Sequence, residues 1–167
     1  MIPTFSNPAG RMTHVERRHA LVELAARNRI TIVEDDPYRD LYFSNAPPPS
    51  VFAMAQDHPD ARNWFVYIAG ISKIVSPCLR VGWILLPPSL IAPFTVAKQA
   101  NDLQSSTLNQ LAAQRYLASG CLGRQCRMIA ASAPVHSTSS RGSRLLSLAD
   151  NLHRSFADVA IEVVRRG

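Results

Sequence analysis

Along the chain, stretches where apolar residues recur every three or four positions alternate with short runs where they are continuous. Val15, Ala20, Leu21, Leu24 and Ala25 follow the first pattern, which predicts a helix running to about Arg27. Thr13 and Glu16 have the spacing of a capping box ahead of it, with Thr13 as N-cap. Ile30-Thr31-Ile32-Val33 is β-branched and almost wholly apolar, as in a strand buried between helix layers. Glu34-Asp35-Asp36-Pro37-Tyr38 ends that strand, because proline has no N–H to give a sheet ladder. A loop through Pro47–Ser50 leads to a short helical stretch near Val51–Gln56. A second apolar strand covers Trp64–Ile68 and closes at Gly70-Ile71-Ser72-Lys73; a third, Val81–Leu86, stops at Pro87-Pro88. Ser89 stands where it could cap the next helix, in which Pro93 is tolerable only within the first turn. A further helix from about Thr107 to Ala118 ends at Gly120.

Strands separated by helices or long crossovers predict an α/β protein with helices layered on a mostly parallel sheet. In such sheets ligands sit at the carboxyl ends of strands. Asp35 and Lys73 each fall just past such an end, and that coincidence first suggests a site. After Gly120 the pattern weakens, and residues 132–147 are rich in Ser and Thr. Helical spacing returns at Leu145, Leu148, Leu152, Phe156, Val159 and Val163, which predicts a helix in the tail.

Composition changes this picture little. The net charge is +6, from 18 basic and 12 acidic residues. Residues 1–120 hold 11 basic against 9 acidic side chains, so most of the excess lies in the tail, where the arginines are scattered. That distribution argues against a nucleic-acid surface within the chain. Cys78, Cys121 and Cys126 have neither disulfide-framework nor zinc-ligand spacing, which points to a reducing cytoplasm and no metal. No leader-like start and no membrane-length apolar run is present, so a soluble cytoplasmic protein is expected.

Taken singly, the polar motifs are ordinary: a turn at Asn7-Pro8-Ala9-Gly10, loop acids at Asp35 and Asp36, a Ser-Lys pair, an isolated Arg80. Their order is not ordinary. Asn7-Pro8-x-Gly10, Asp35-x-x-Tyr38, Ser72-Lys73 and Arg80 together resemble the cofactor core of fold-type-I pyridoxal-phosphate aminotransferases of class I/II. The segments Glu34–Phe43 and Ser72–Trp83 are closest to the subgroup of 2-aminoadipate-type transaminases and the aminotransferase-like domains of GntR/MocR regulators. The resemblance spans about residues 3–120 and implies the later part of a pyridoxal-phosphate-binding large domain, with residues 121–167 as an atypical tail replacing the small domain.

For the matching positions the resemblance implies definite roles. Lys73 would hold pyridoxal 5'-phosphate as a Schiff base and shuttle the substrate proton, which requires a depressed amine pKa. Asp35 would pair with the pyridine nitrogen, and Asn7 and Tyr38 would bond the phenolic oxygen. Arg80 would fork the phosphate, with help from Ser72. One local departure is Gly70, where the family usually has a phosphate-contacting Ser or Thr. Losing that bond weakens cofactor binding by about 1.5–3 kcal/mol.

The implied reaction moves an amino group between an amino acid and a 2-oxo acid, in a parent that is a homodimer. The alternatives are an effector domain behind an upstream DNA-binding segment, or an inactive remnant. A frameshift near residues 124–128 would account for the break in pattern, although the renewed periodicity after Leu145 opposes it. A partial sheet exposes edges and apolar faces, so the chain alone is expected to fold poorly and transfer little.

Overall fold

The structure, a computed structural model, describes residues 1–42, 45–102, 104–132 and 160–164. Helix α1 spans Val15–Asn28, strand β1 Ile32–Asp35, helix α2 Val51–Gln56, strand β2 Phe65–Gly70 and strand β3 Val81–Leu85. Helices α3 (Pro88–Asn101), α4 (Thr107–Ala118) and α5 (Cys121–Ser132) follow, and strand β4 is Ala160–Val164. The fold is α/β, with a mixed sheet in the order β1-β2-β3-β4. β1 pairs parallel with β2 and β3 parallel with β4, while β2 and β3 are antiparallel. No helix among the described residues is long and apolar enough to cross a membrane.

Both faces of β2 are covered: Phe65 is fully buried on one side and Val66 is 3% exposed on the other. The Phe65 face packs on α1 and α2 through Val22, Ala25, Val51, Phe52 and Ala55. A second apolar cluster sits past the strand ends, where Tyr38, Leu41, Ile71 and Ile74 meet Ala113 of α4 and Leu122, Cys126 and Ile129 of α5. Burial within that cluster pushes the Cys126 thiol pKa up.

Several details depart from the sequence pattern. Thr13 is not the N-cap of α1; His14 is, without a side-chain bond. The Thr13 N–H and carbonyl are committed elsewhere, to the Pro3 carbonyl and the Arg18 side chain. The buried stripe of α1 is Arg18, Val22 and Ala25, whereas Leu24 is 46% exposed. β1 is displaced two residues from the apolar run; Ile30 precedes it and is exposed, and Val33 is exposed because it faces away from Ile32 and Glu34, which turn toward the α1–α2 core. Pro87, not Ser89, occupies the N-cap of α3, so Pro93 lies in the helix interior beyond its first turn. α4 has the bounds expected, with Ser106 capping it and Gly120 in the left-handed region at φ 71°. In the tail, Val163 belongs to strand β4 rather than a helix, and the remainder of that periodic stretch falls outside the described residues.

Candidate cofactor site

Sheet register brings four of the sequence-singled residues to one end of the molecule. Asp35, the last residue of β1, stands opposite Ile68 of the parallel β2. β2 runs two residues further to Gly70, which stands opposite Gly82 of the antiparallel β3. The chain then coils: the Ile71 carbonyl accepts from Val75 and Ser76 at 2.8 and 3.2 Å, and this turn carries half-buried Ser72 and Lys73. Ile71 donates to the Val81 carbonyl at 3.2 Å, which fixes the Lys73 turn against the first residue of β3. Arg80 immediately precedes it, in the left-handed conformation at φ 54°, with its two terminal nitrogens withdrawn from solvent. Asn109 of α4 donates to the Leu79 carbonyl at 3.0 Å and braces that turn.

The other two arrive from loops. Residues 5–11 fold back on themselves, Ser6 N–H bonding the Arg11 carbonyl at 2.9 Å and Arg11 N–H the Ser6 hydroxyl at 3.2 Å. This puts the Asn7 amide 3.5 Å from the Tyr38 hydroxyl, a long hydrogen bond across 31 residues of sequence. Tyr38 is itself 5% exposed and packs in the cluster with Ile71 and Ile74, which flank Lys73.

Sequence reading missed what lies on the other face of β1. Side chains alternate along a strand, so Glu34 and Asp36 point away from Asp35. Glu34 is fully buried and accepts from the Val51 and Phe52 amides at 3.1 and 2.6 Å, closing the start of α2. Burial raises its pKa, against the pull of those two amides. Asp36 has its pKa raised by burial too, opposed chiefly by Arg39, whose guanidinium is 3.5 Å away. Arg39 also holds the Pro48 carbonyl at 2.7 Å, and the Tyr67 hydroxyl stands 3.5 Å from Asp36. Burial and the neighbouring Asp36 push the Tyr67 pKa up, so it stays a neutral donor. The signal for this group was present in the i, i+2 spacing of two acids, but nothing in sequence named their basic partners.

A family model for aminotransferase class I and II matches residues 1–166. The chain belongs to the class I and II aminotransferases. Among curated relatives of this aminotransferase chain, aromatic-amino-acid aminotransferase 1 of Thermococcus litoralis is 38% identical over 74% of the chain and 28% of its own length. The HTH-type transcriptional regulator YisV of Bacillus subtilis is 37% identical over 71% of the chain and 24% of its own length. Among solved structures, LysN, the α-aminoadipate aminotransferase of Thermus thermophilus complexed with N-(5'-phosphopyridoxyl)-L-leucine, superposes with a TM-score of 0.73 at 31% identity. That match covers 80% of this chain and 33% of LysN. The chain therefore spans about a quarter to a third of the proteins it matches. Pyridoxal phosphate is the cofactor of this family, and that structural neighbour carries a phosphopyridoxyl group joined to L-leucine.

Proposed function

We propose that the chain carries the cofactor-holding part of a pyridoxal-phosphate aminotransferase, which moves an amino group between an amino acid and a 2-oxo acid. The observation that carries this is the convergence of Asp35, Lys73 and Arg80 at one end of the sheet by register, beside the Asn7–Tyr38 pair. The donor set suits the cofactor: a carboxylate for a cationic ring nitrogen, a guanidinium for a phosphate, an amine for an aldehyde. Bound, the cofactor supplies an electron sink for a carbanion at the substrate Cα.

In this reading Asp35 holds the ring nitrogen in its protonated form, and Arg80, with Ser72, grips the phosphate. Asn7 and Tyr38 orient the ring through its phenolic oxygen. Lys73 would hold the aldehyde carbon and, with its amine free, would take and return a proton at the substrate Cα. Residues 1–120 form the later part of the cofactor-binding large domain, residues 121–167 an atypical tail, and the parent is a homodimer. A second reading, an effector domain that senses an amine while fused to a DNA-binding segment, is favoured by the likeness to YisV.

The test is to add pyridoxal phosphate to the purified chain, reduce with borohydride and map the pyridoxyl label by mass spectrometry. Label confined to Lys73, and lost in Lys73→Ala, supports the site. Label spread over Lys98 as readily as Lys73, or no label, overturns it. Turnover of an amino acid and a 2-oxo acid by the longer parent then separates enzyme from sensor.

A further inference from the structure

Among the described residues Arg18 is the largest fully buried side chain, at 0% exposure. It lies on the inward stripe of α1, where an apolar residue of similar volume would fill the space without any charge to bury. Burial lowers its pKa, countered first by the charge of Glu34. What it gains in that position is a set of oxygen partners drawn from three separate segments. Nε donates to the Thr13 carbonyl at 2.8 Å, Nη1 to the Pro49 carbonyl at 3.0 Å, and Nη2 to the Pro3 carbonyl and the Thr4 hydroxyl, both at 3.0 Å.

These partners are placed where they control the site. Pro3 and Thr13 are the two ends of the excursion that presents Asn7, and they are also joined directly, Thr13 N–H to the Pro3 carbonyl at 2.8 Å. Pro49 is near the far end of the loop that starts at Asp36 and presents Tyr38. Thr4, fully buried, lies near enough to Asp36, one residue from Asp35, to help hold its carboxyl pKa down. The planar, five-donor guanidinium is the one side chain that can tie such diverging acceptors at once.

We propose that Arg18 is a positioning residue for the cofactor site: it fixes the Asn7 excursion and the Tyr38 loop relative to each other and, through Thr4 and Asp36, steadies Asp35. This rests on the cofactor reading of those residues. Misplacing a binding group by about an ångström costs binding and rate out of proportion to any lost stability.

The test compares Arg18→Met and Arg18→Lys with Val22→Ala, a core truncation one turn along the same stripe. Two quantities are read on the whole chain: amide hydrogen exchange without cofactor, and the Kd for pyridoxal phosphate by fluorescence titration. Arg18→Met is expected to speed exchange selectively in residues 4–13 and at Leu41 of the Tyr38 loop, whose N–H is bonded to the Tyr38 carbonyl, leaving β2 protected, and to weaken cofactor binding by about tenfold or more. Arg18→Lys, with one point charge in place of the fork, is expected to fall between, and carries the comparison should Arg18→Met fail to fold. Val22→Ala should loosen the α1–α2 core without that selectivity. Exchange that rises uniformly, or cofactor binding weakened no more than in Val22→Ala, overturns the proposal. If the unaltered chain takes up no cofactor, the cofactor reading falls, and selective exchange alone decides whether Arg18 orders the two segments.

Discussion

At the scale of single residues, two positions show how closely this chain is constrained around the strand ends. A Cβ built on Gly70 would come 3.1 Å from the Val81 carbonyl oxygen and 3.3 Å from the Gly82 Cα, both backbone atoms of the neighbouring strand. The glycine that departs from the family's usual Ser or Thr is therefore matched to a close approach of β2 and β3. Gly70→Ala is expected to lower stability by about 1–3 kcal/mol in urea unfolding; an unmoved midpoint would show that the strands part freely. Glu34 and Asp36 give a pH signature. Burial raises both pKa values, so the folded state holds these protons more tightly than the unfolded chain. Their contribution to stability is fully present below the ordinary carboxylate values, about 4, and is lost as pH rises through the folded values. Glu34→Gln should flatten that decline between acid and neutral pH, and parallel stability curves for variant and parent would contradict it.

Among elements, α2 and α3 contrast in how their local sequence fits their length. α2 has only six residues, yet Ser50 accepts from Ala53 at 3.0 Å and Glu34 takes two more amides, so its start is fully supplied with acceptors. α3 carries Pro93 in its interior, where the missing N–H leaves a preceding carbonyl without its helical donor. Pro93 is exposed, so no packing depends on its ring. Pro93→Ala is expected to stabilise the chain, by about 1–3 kcal/mol if the local strain is fully relieved. A lower thermal midpoint in the variant would show that the proline sets a bend the fold needs. Helix α1 shows the reverse: a charged residue in the inward stripe defeats a purely apolar periodicity, because its partners are backbone carbonyls that no pattern reveals.

For the molecule as a whole, the outer helices keep large apolar side chains in contact with solvent. Leu108 is 76% exposed, Val96 65% and Met128 61%. β1 adds to this an apolar side chain, Val33, that is 43% exposed. Such surfaces favour association. The 167-residue chain is expected to self-associate as its concentration rises, as followed by light scattering, and Val96→Lys with Leu108→Glu should reduce it. A chain that stays monomeric at high concentration would show that these faces need no cover. Amino transfer by this chain alone is expected to be negligible, and robust turnover by the purified protein would refute that.

What the sequence determined by itself was local or ordered along the chain. The apolar runs of β2 and β3 and the start and stop of α4 followed from periodicity and turn residues, because those signals act within a few positions. The motif order from Asn7 to Arg80 sufficed for the family. Only the tertiary structure decided that β3 runs antiparallel, that residues 160–164 form a strand, and that Arg18 is bonded to Thr4 and Arg39 paired with Asp36 near the buried Glu34. Pairing direction depends on partners distant in sequence. A buried charge is stable only through such partners, so its place appears when the chain has closed around it.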